Sequence, residues 1–118
     1  MKNLPYNRND RIAKQIYQTL VDYIYKNMDD ERLERVQFTR ATLTKDFSIA
    51  RIYFYVDGDE KKQKKCLQSL RDIEKDLKRV IATELSLRLT PKLEFYPDEG
   101  MENAKRIDEI IDEIHKDN

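Results

Sequence analysis

The residues of this sequence best suited to chemistry are basic side chains interleaved with aromatic ones. Arg51, Tyr53 and Tyr55 alternate along one short segment, and Arg40 lies in the segment before it. Contacts of such basic side chains with phosphate would give a salt-dependent, weakly sequence-selective affinity for RNA. The alternative is that these long side chains only solvate helix and sheet surfaces. The candidate phosphate or sugar contacts are Arg8, Arg11, Lys14, Arg40, Arg51, Lys75, Lys78, Arg79, Arg88 and Lys92.

Residue types that catalysis requires are scarce. Gly58 and Gly100 are the only glycines, so there is no glycine-rich phosphate loop, and His115 is the only histidine. Cys66 begins an apolar stripe, which predicts a buried structural thiol rather than a reactive one. We therefore predict no enzyme activity, no cofactor, no metal site and no small-molecule substrate.

One acidic cluster imitates a metal site. It lacks the EF-hand spacing and the glycine of that loop, so a solvated connection is the favoured interpretation. A metal-dependent nuclease is the remaining catalytic alternative, and it would depend on the first two members of the cluster. The cluster consists of Asp29, Asp30, Glu31 and Glu34.

Composition and charge describe one domain with two electrostatic parts. Residues 1–92 hold 20 Lys and Arg against 14 Asp and Glu, a net charge of +6, whereas residues 93–118 hold 3 against 9, a net charge of −6. A basic body of this kind is compatible with a nucleic-acid partner. No apolar run approaches the length of a membrane span, and the N-terminus lacks the apolar region of a signal peptide. With one cysteine and no disulfide, these features predict a cytoplasmic protein without a membrane partner.

Apolar spacing predicts the elements that must position these side chains. Steps of three and four predict a first helix that begins at Asn9 or Asp10 and ends near Lys26. Strands are predicted at 36–43, 49–56 and 92–96, and the run 66–85 carries a long helical stripe. A final amphipathic helix is predicted at 102–115, with Ile107, Ile110, Ile111 and Ile114 on its apolar side.

These elements predict an α+β fold. The short connection between the first two strands makes them an antiparallel hairpin, and the long helical connection makes the second and third strands parallel. The result is a three-stranded mixed sheet in the order 1-2-3, covered by helices on one face. We expect a flexible N-terminus at 1–7, one domain at 8–97 and an acidic C-terminal helix within 98–118.

Three segments carry a resemblance to a known family. Residues 87–95, LRLTPKLEF, followed by Asp98, resemble the L-R-x-x-P-x-L-x-F signature of ribosome-binding factor A. Residues 46–53, DFSIARIY, look like that family's D-x-S-x-A-K-V-Y entry into the second strand. The N-terminal helix is similar through Arg8, Arg11, Ile12, Ile16 and Leu20.

The resemblance implies a type II KH-like domain with the element order α-β-β-α-α-β. It further implies a bacterial assembly factor that binds the free small (30S) ribosomal subunit, acts late in its maturation and assists the processing of 16S rRNA. Adaptation to cold is associated with the family, and catalysis is not. The expected partners are thus the small subunit and its 16S rRNA, bound by a monomer.

One departure from the family concerns the long helical run. The family has an Ala-x-Gly kink between two helices, which aligns here with Ile73, Glu74 and Lys75, and neither the alanine nor the glycine is present. The sequence shows no helix breaker at this point, whereas the resemblance implies two helices with RNA near their joint.

A module that binds protein instead of RNA is the alternative function. It would use the isoleucine stripe of the last helix or an exposed edge of the sheet.

Overall fold

The computed structural model describes residues 7–27, 29–33 and 35–100, apart from the side chain of Arg32. Within them the chain forms the predicted α-β-β-α-α-β order of an α+β domain, which is consistent with the KH-like fold. The elements are α1 (Arg8–Lys26), a short 3-10 turn (Glu31–Leu33), β1 (Gln37–Leu43), β2 (Ile49–Tyr55), α2 (Glu60–Asp72), α3 (Glu74–Leu85) and β3 (Lys92–Pro97). None of the helices in these residues combines the length and apolar character that a membrane span requires.

Helix α1 begins earlier than the sequence predicts. The side chain of Asn7 accepts a hydrogen bond from the Asp10 N–H at 2.9 Å, and the Asp10 carboxylate accepts one in return from the Asn7 N–H. This capping box satisfies backbone donors that a helix otherwise leaves unpaired, so the helix begins at Arg8. The prediction of a cap at Asn9 or Asp10 was wrong, because Asn9 instead donates to the Thr44 carbonyl at 2.6 Å.

The sheet has the predicted order and directions. Strand β2 is central, antiparallel to β1 and parallel to β3. Ala50, Ile52 and Phe54 alternate along β2 and are fully buried, so this face of the sheet meets the helices. The register between β1 and β2 shifts between Phe38 and Arg40.

The core lies between that face and the three helices. Helix α1 contributes Ile12, Ile16 and Leu20, while Leu70 and Leu77 come from α2 and α3. These buried positions follow the helical periods visible in the sequence. The predicted burial of the stripe at 66–85 is therefore confirmed.

The long helical run is two helices that meet at Ile73. The residue has a φ of −102° and a ψ of 7°, and its side chain is completely buried. Since φ is negative, the joint needs no glycine, and the buried Ile73 side chain anchors the joint in the core. The resemblance was therefore a better guide here than the uninterrupted periodicity.

Two predicted segments lie outside the described residues. They are the flexible end, of which only Asn7 is described, and the helix at 102–115. Both stay predictions.

Candidate nucleic-acid interface

Four of the predicted phosphate contacts line one groove at the end of the sheet where β3 begins. The groove has a volume of about 580 Å³ and lies between the start of α1, the β1–β2 turn, α3 and the segment that leads into β3. We call it the basic groove and define it by Arg8, Lys78, Arg88 and Lys92. Among the described residues that line it, the only acidic one is Asp46, so this lining carries more positive than negative charge.

The β1–β2 turn forms one wall of the basic groove and is closed by its own hydrogen bonds. The Asp46 carboxylate accepts hydrogen bonds from the Thr44 hydroxyl at 2.9 Å, the Ser48 hydroxyl at 2.7 Å and the Ser48 N–H at 3.0 Å. Phe47 has a φ of 63°, and the centroid of its ring lies 5.2 Å from the guanidinium carbon of Arg8. The turn therefore orients the first basic side chain of α1 by a cation–π contact.

The same hydrogen bonds affect the charge of the turn. They lower the pKa of Asp46 below its ordinary value, because they favour the ionised carboxylate. The Ser48 hydroxyl has the largest effect, followed by the Ser48 N–H and then the Thr44 hydroxyl. Asp46 is thus an anion at neutral pH. All three bonds go to its Oδ1 atom, so the bonding capacity of that oxygen is directed into the turn.

The opposite wall is built by the end of α3 and the start of β3. Ser86 ends α3 with a left-handed φ of 49°, which redirects the chain toward Arg88. The Lys92 N–H then donates to the Ser48 carbonyl at 2.9 Å, and the Leu93 N–H donates to the Glu74 carboxylate at 3.3 Å. These bonds connect the wall to both the turn and α3, so Arg88 and Lys92 have a fixed support.

Helix α1 extends the basic surface beyond the groove. Arg8, Arg11 and Lys14 line a shallow hollow of about 370 Å³ together with Asn7. Because Arg8 belongs to both cavities, the structure brings three predicted residues of α1 together with the basic groove.

The other predicted contacts lie elsewhere. Lys75 and Arg79 are exposed on α3 and are not among the residues of the basic groove, and Arg79 lies 3.8 Å from the Asp76 carboxylate. Arg40 and Arg51 project from the face of the sheet opposite the core. The predicted set is therefore divided among the groove with its α1 extension, the exposed side of α3 and the sheet face.

The sheet face holds an aromatic and cationic row that the sequence reasoning only partly identified. The guanidinium carbon of Arg40 lies 3.9 Å from the centroid of the Tyr53 ring, and the Tyr53 and Tyr96 centroids are 5.8 Å apart. Tyr96 was missed, although it alternates with the inward-facing Leu93 and Phe95. Pairing β2 with β3 in parallel register would have placed it beside Tyr53.

A carboxylate completes this face. The Glu94 carboxylate accepts a hydrogen bond from the Tyr96 hydroxyl at 2.7 Å and lies 3.9 Å from the Arg51 Nε atom. The hydrogen bond to Glu94 is the main reason why the pKa of Tyr96 is raised. This hydrogen bond thus links the Tyr96 ring to a carboxylate on the same face of the sheet.

Cys66 and part of the acidic cluster are the candidate catalytic groups that the structure describes. Cys66 is buried as predicted, and burial raises the pKa of its thiol to about 11. Among residues 7–27, 29–33 and 35–100, no three His, Cys, Asp or Glu side chains converge as metal ligands do. Glu34 and His115 lie outside the described residues.

Known proteins resemble this chain over most of its length. The family model described as ribosome-binding factor A matches residues 8–111. A protein of that name from Desulfatibacillum aliphaticivorans is 39% identical over 107 residues, which span 91% of this chain and 87% of the relative.

Solved structures show the same likeness. The crystal structure of ribosome-binding factor A from Thermus thermophilus is 26% identical, with a TM-score of 0.66 over 78% of this chain and 97% of the other. A homology model of the Thermus thermophilus protein, fitted into a cryo-EM map of a 30S–RbfA complex, is also 26% identical, with a TM-score of 0.61 over 75% and 92% of the two chains.

Proposed function

This chain belongs to the ribosome-binding factor A family, and from that premise we propose that it binds the free small (30S) ribosomal subunit in the cytoplasm. It acts there as a non-catalytic monomer that assists late maturation of the subunit and the processing of 16S rRNA. The related Thermus thermophilus protein, fitted into the map of a 30S complex, supports the choice of partner. No small molecule or cofactor takes part.

The observation that carries this proposal is the basic groove. Arg8, Lys78, Arg88 and Lys92 come from three separate parts of the chain and line one concave surface. A phosphate backbone is a repeating anion, and several cations at fixed positions bind it without reading the base sequence. Arg11 and Lys14 extend the contact along α1, and Lys75 and Arg79 extend it along α3.

The proposed mechanism is positional. The β1–β2 turn orients Arg8 through the cation–π contact with Phe47, and backbone hydrogen bonds fix the start of β3 beside Arg88 and Lys92, so bound rRNA phosphates are held in one arrangement. Such binding favours a productive conformation of the rRNA, or delays premature joining of the two ribosomal subunits. No bond is made or broken by the protein.

Co-sedimentation with purified small subunits across a salt series tests the proposal. Each phosphate contact adds about 0.7 to 0.9 to the slope of log affinity against log salt concentration. Replacing Lys78, Arg88 and Lys92 by glutamine should therefore reduce that slope by about 2 to 3. The matched control replaces Lys61, Lys64 and Arg71, which are exposed on α2 and outside the basic groove, and should leave the slope close to the original.

Two results would contradict the proposal. One is binding of the original protein to the small subunit with no dependence on salt. The other is an equal loss of slope in the groove variant and in the α2 control, because the basic groove would then have no special part in binding.

A second candidate function is protein recognition, which one apolar groove favours. It has a volume of about 570 Å³ and lies between the second half of α1, the 3-10 turn and the start of β1. Its lining includes Tyr17, Val21, Ile24, Leu33 and Phe38. Tyr25 at its rim is 76% exposed. If this groove were the contact, Tyr25→Glu would abolish small-subunit binding, while the triple glutamine variant of the basic groove would bind normally.

A further inference from the structure

We propose that the face of the sheet opposite the core binds unpaired RNA bases by stacking. We call it the open sheet face and define it by Arg40, Arg51, Tyr53, Glu94 and Tyr96. The inference rests on the proposed function in one respect, since rRNA of the small subunit is the expected source of these bases.

The strand register places a row of planar groups across all three strands. Arg40 pairs with Tyr53, and Tyr53 pairs with Tyr96 in the parallel ladder. The Arg40 guanidinium carbon lies 3.9 Å from the Tyr53 centroid, and the two tyrosine rings are 5.8 Å apart with an angle of 33° between their planes. Aromatic rings and guanidinium planes are the surfaces on which proteins stack unpaired bases.

This row is accessible in the described part of the chain. The helices pack on the opposite face, where Ala50, Ile52 and Phe54 are fully buried. Arg40 is exposed, and Tyr96 keeps 40% of its surface in solvent. A base can therefore reach the outer plane of the guanidinium and the ring of Tyr96.

The row is also held in place before any ligand arrives. The Tyr96 hydroxyl donates to the Glu94 carboxylate at 2.7 Å, and the same carboxylate faces the Arg51 Nε atom at 3.9 Å. Exposed cation–π and ion pairs add little to the stability of a fold, about 1 kcal/mol or less each. We therefore interpret this ordered row as a surface that binds RNA bases rather than as one that stabilises the fold.

Charge and position favour RNA as the occupant. The five residues that define the open sheet face include two arginines and one carboxylate, that of Glu94, which lies beside Arg51, so this set is more cationic than anionic. Lys92 lies on the outward side of β3, next to the inward-facing Leu93, and also lines the basic groove. Lys92 and Tyr96 are four positions apart on β3, about 13 Å along a strand. A single strand whose phosphates lie on the basic groove can therefore continue onto the open sheet face.

The test uses fluorescein-labelled RNA decamers of adenosine and of uridine, with an abasic decamer of the same backbone as the probe without bases. Tyr96→Ala should weaken binding of the adenosine decamer by about tenfold or more, and Tyr96→Phe should restore it. Tyr25→Ala is the matched control, because this tyrosine is exposed on α1, outside the row. Neither alanine substitution should change binding of the abasic decamer.

Salt separates stacking from phosphate contacts. The factor lost in Tyr96→Ala should be the same at low and high salt, because stacking releases no counterions, whereas the glutamine variant of the basic groove changes the slope. Because the chain contains no tryptophan, quenching of tyrosine fluorescence on binding the adenosine decamer gives a direct signal, and it should diminish in Tyr96→Ala.

Two results would overturn the inference. They are equal affinity of the abasic and adenosine decamers, and equal affinity of Tyr96→Ala and the original protein for the adenosine decamer. If salt-dependent binding of small subunits persisted in these cases, the stacking inference would fail and the proposed function would stand. Loss of that salt dependence would contradict the proposed function itself.

Discussion

Replacement of Ile73 tests whether side-chain packing, rather than a flexible residue, holds the joint between α2 and α3. Ile73 is 0% exposed and its backbone has a negative φ. Ile73→Ala removes three buried carbons, worth about 2.4 kcal/mol of transfer free energy, and a cavity adds to this, so the free energy of unfolding should fall by about 3 to 4 kcal/mol. Ile73→Gly should cost about 1 kcal/mol more, because glycine loses more backbone entropy on folding.

Urea denaturation followed by far-UV circular dichroism measures these changes. Lys75→Ala is the control two residues away, since its side chain is exposed, and its effect should stay within about 0.5 kcal/mol. A loss of less than about 1 kcal/mol in Ile73→Ala would show that packing of this side chain does not hold the joint. An Ile73→Gly variant more stable than Ile73→Ala would show that the joint needs the flexibility of glycine.

Three further predictions concern the groove, the turn and the thiol. Lys78→Glu should weaken small-subunit binding by a larger factor than Arg79→Glu in a co-sedimentation assay, because Lys78 lines the groove and Arg79 lies beside Asp76; equal factors would contradict this. The lowered pKa of Asp46 means that its ionised form stabilises the fold above the ordinary value of 3.8, and that this contribution disappears as pH falls through the folded-state pKa. Thermal melts should therefore show that Asp46→Ala destabilises the protein at pH 7 and that the difference from the original protein shrinks below pH 4; a constant difference would argue against the turn bonds. Cys66, whose pKa is raised to about 11, should react with a thiol reagent at pH 8 far more slowly in the native protein than in urea, and equal rates would show that the thiol is not buried.

Strand alternation made much of this fold predictable. Ala50, Ile52 and Phe54 indicate one buried face of a central strand, and the helical connection to β3 requires a parallel pair. These rules depend only on local periodicity and chain connectivity, so they hold without any knowledge of side-chain contacts.

Features that depend on contacts between distant residues were less accessible. Asn7 is a better cap than Asn9 because Asp10 returns its hydrogen bond while Asn9 reaches the carbonyl of Thr44, a residue far along the chain. The joint at Ile73 carries no breaker, because the packing of its side chain replaces the conformational signal that glycine would give.

The candidate site shows the same division. Charge and placement on the predicted elements made Arg8, Lys78, Arg88 and Lys92 candidates, but only the tertiary structure shows that they share a groove while Arg79 does not. Surface cations have no periodicity that distinguishes a binding surface from a solvated one.

The most direct measurement is a cryo-EM structure of this protein bound to an immature small ribosomal subunit. We expect the side chains of Arg8, Lys78, Arg88 and Lys92 to lie within hydrogen-bond or ion-pair distance of rRNA phosphates. A complex in which the basic groove faces solvent, with the subunit contacting the apolar groove between α1 and the start of β1 instead, would contradict the proposed function.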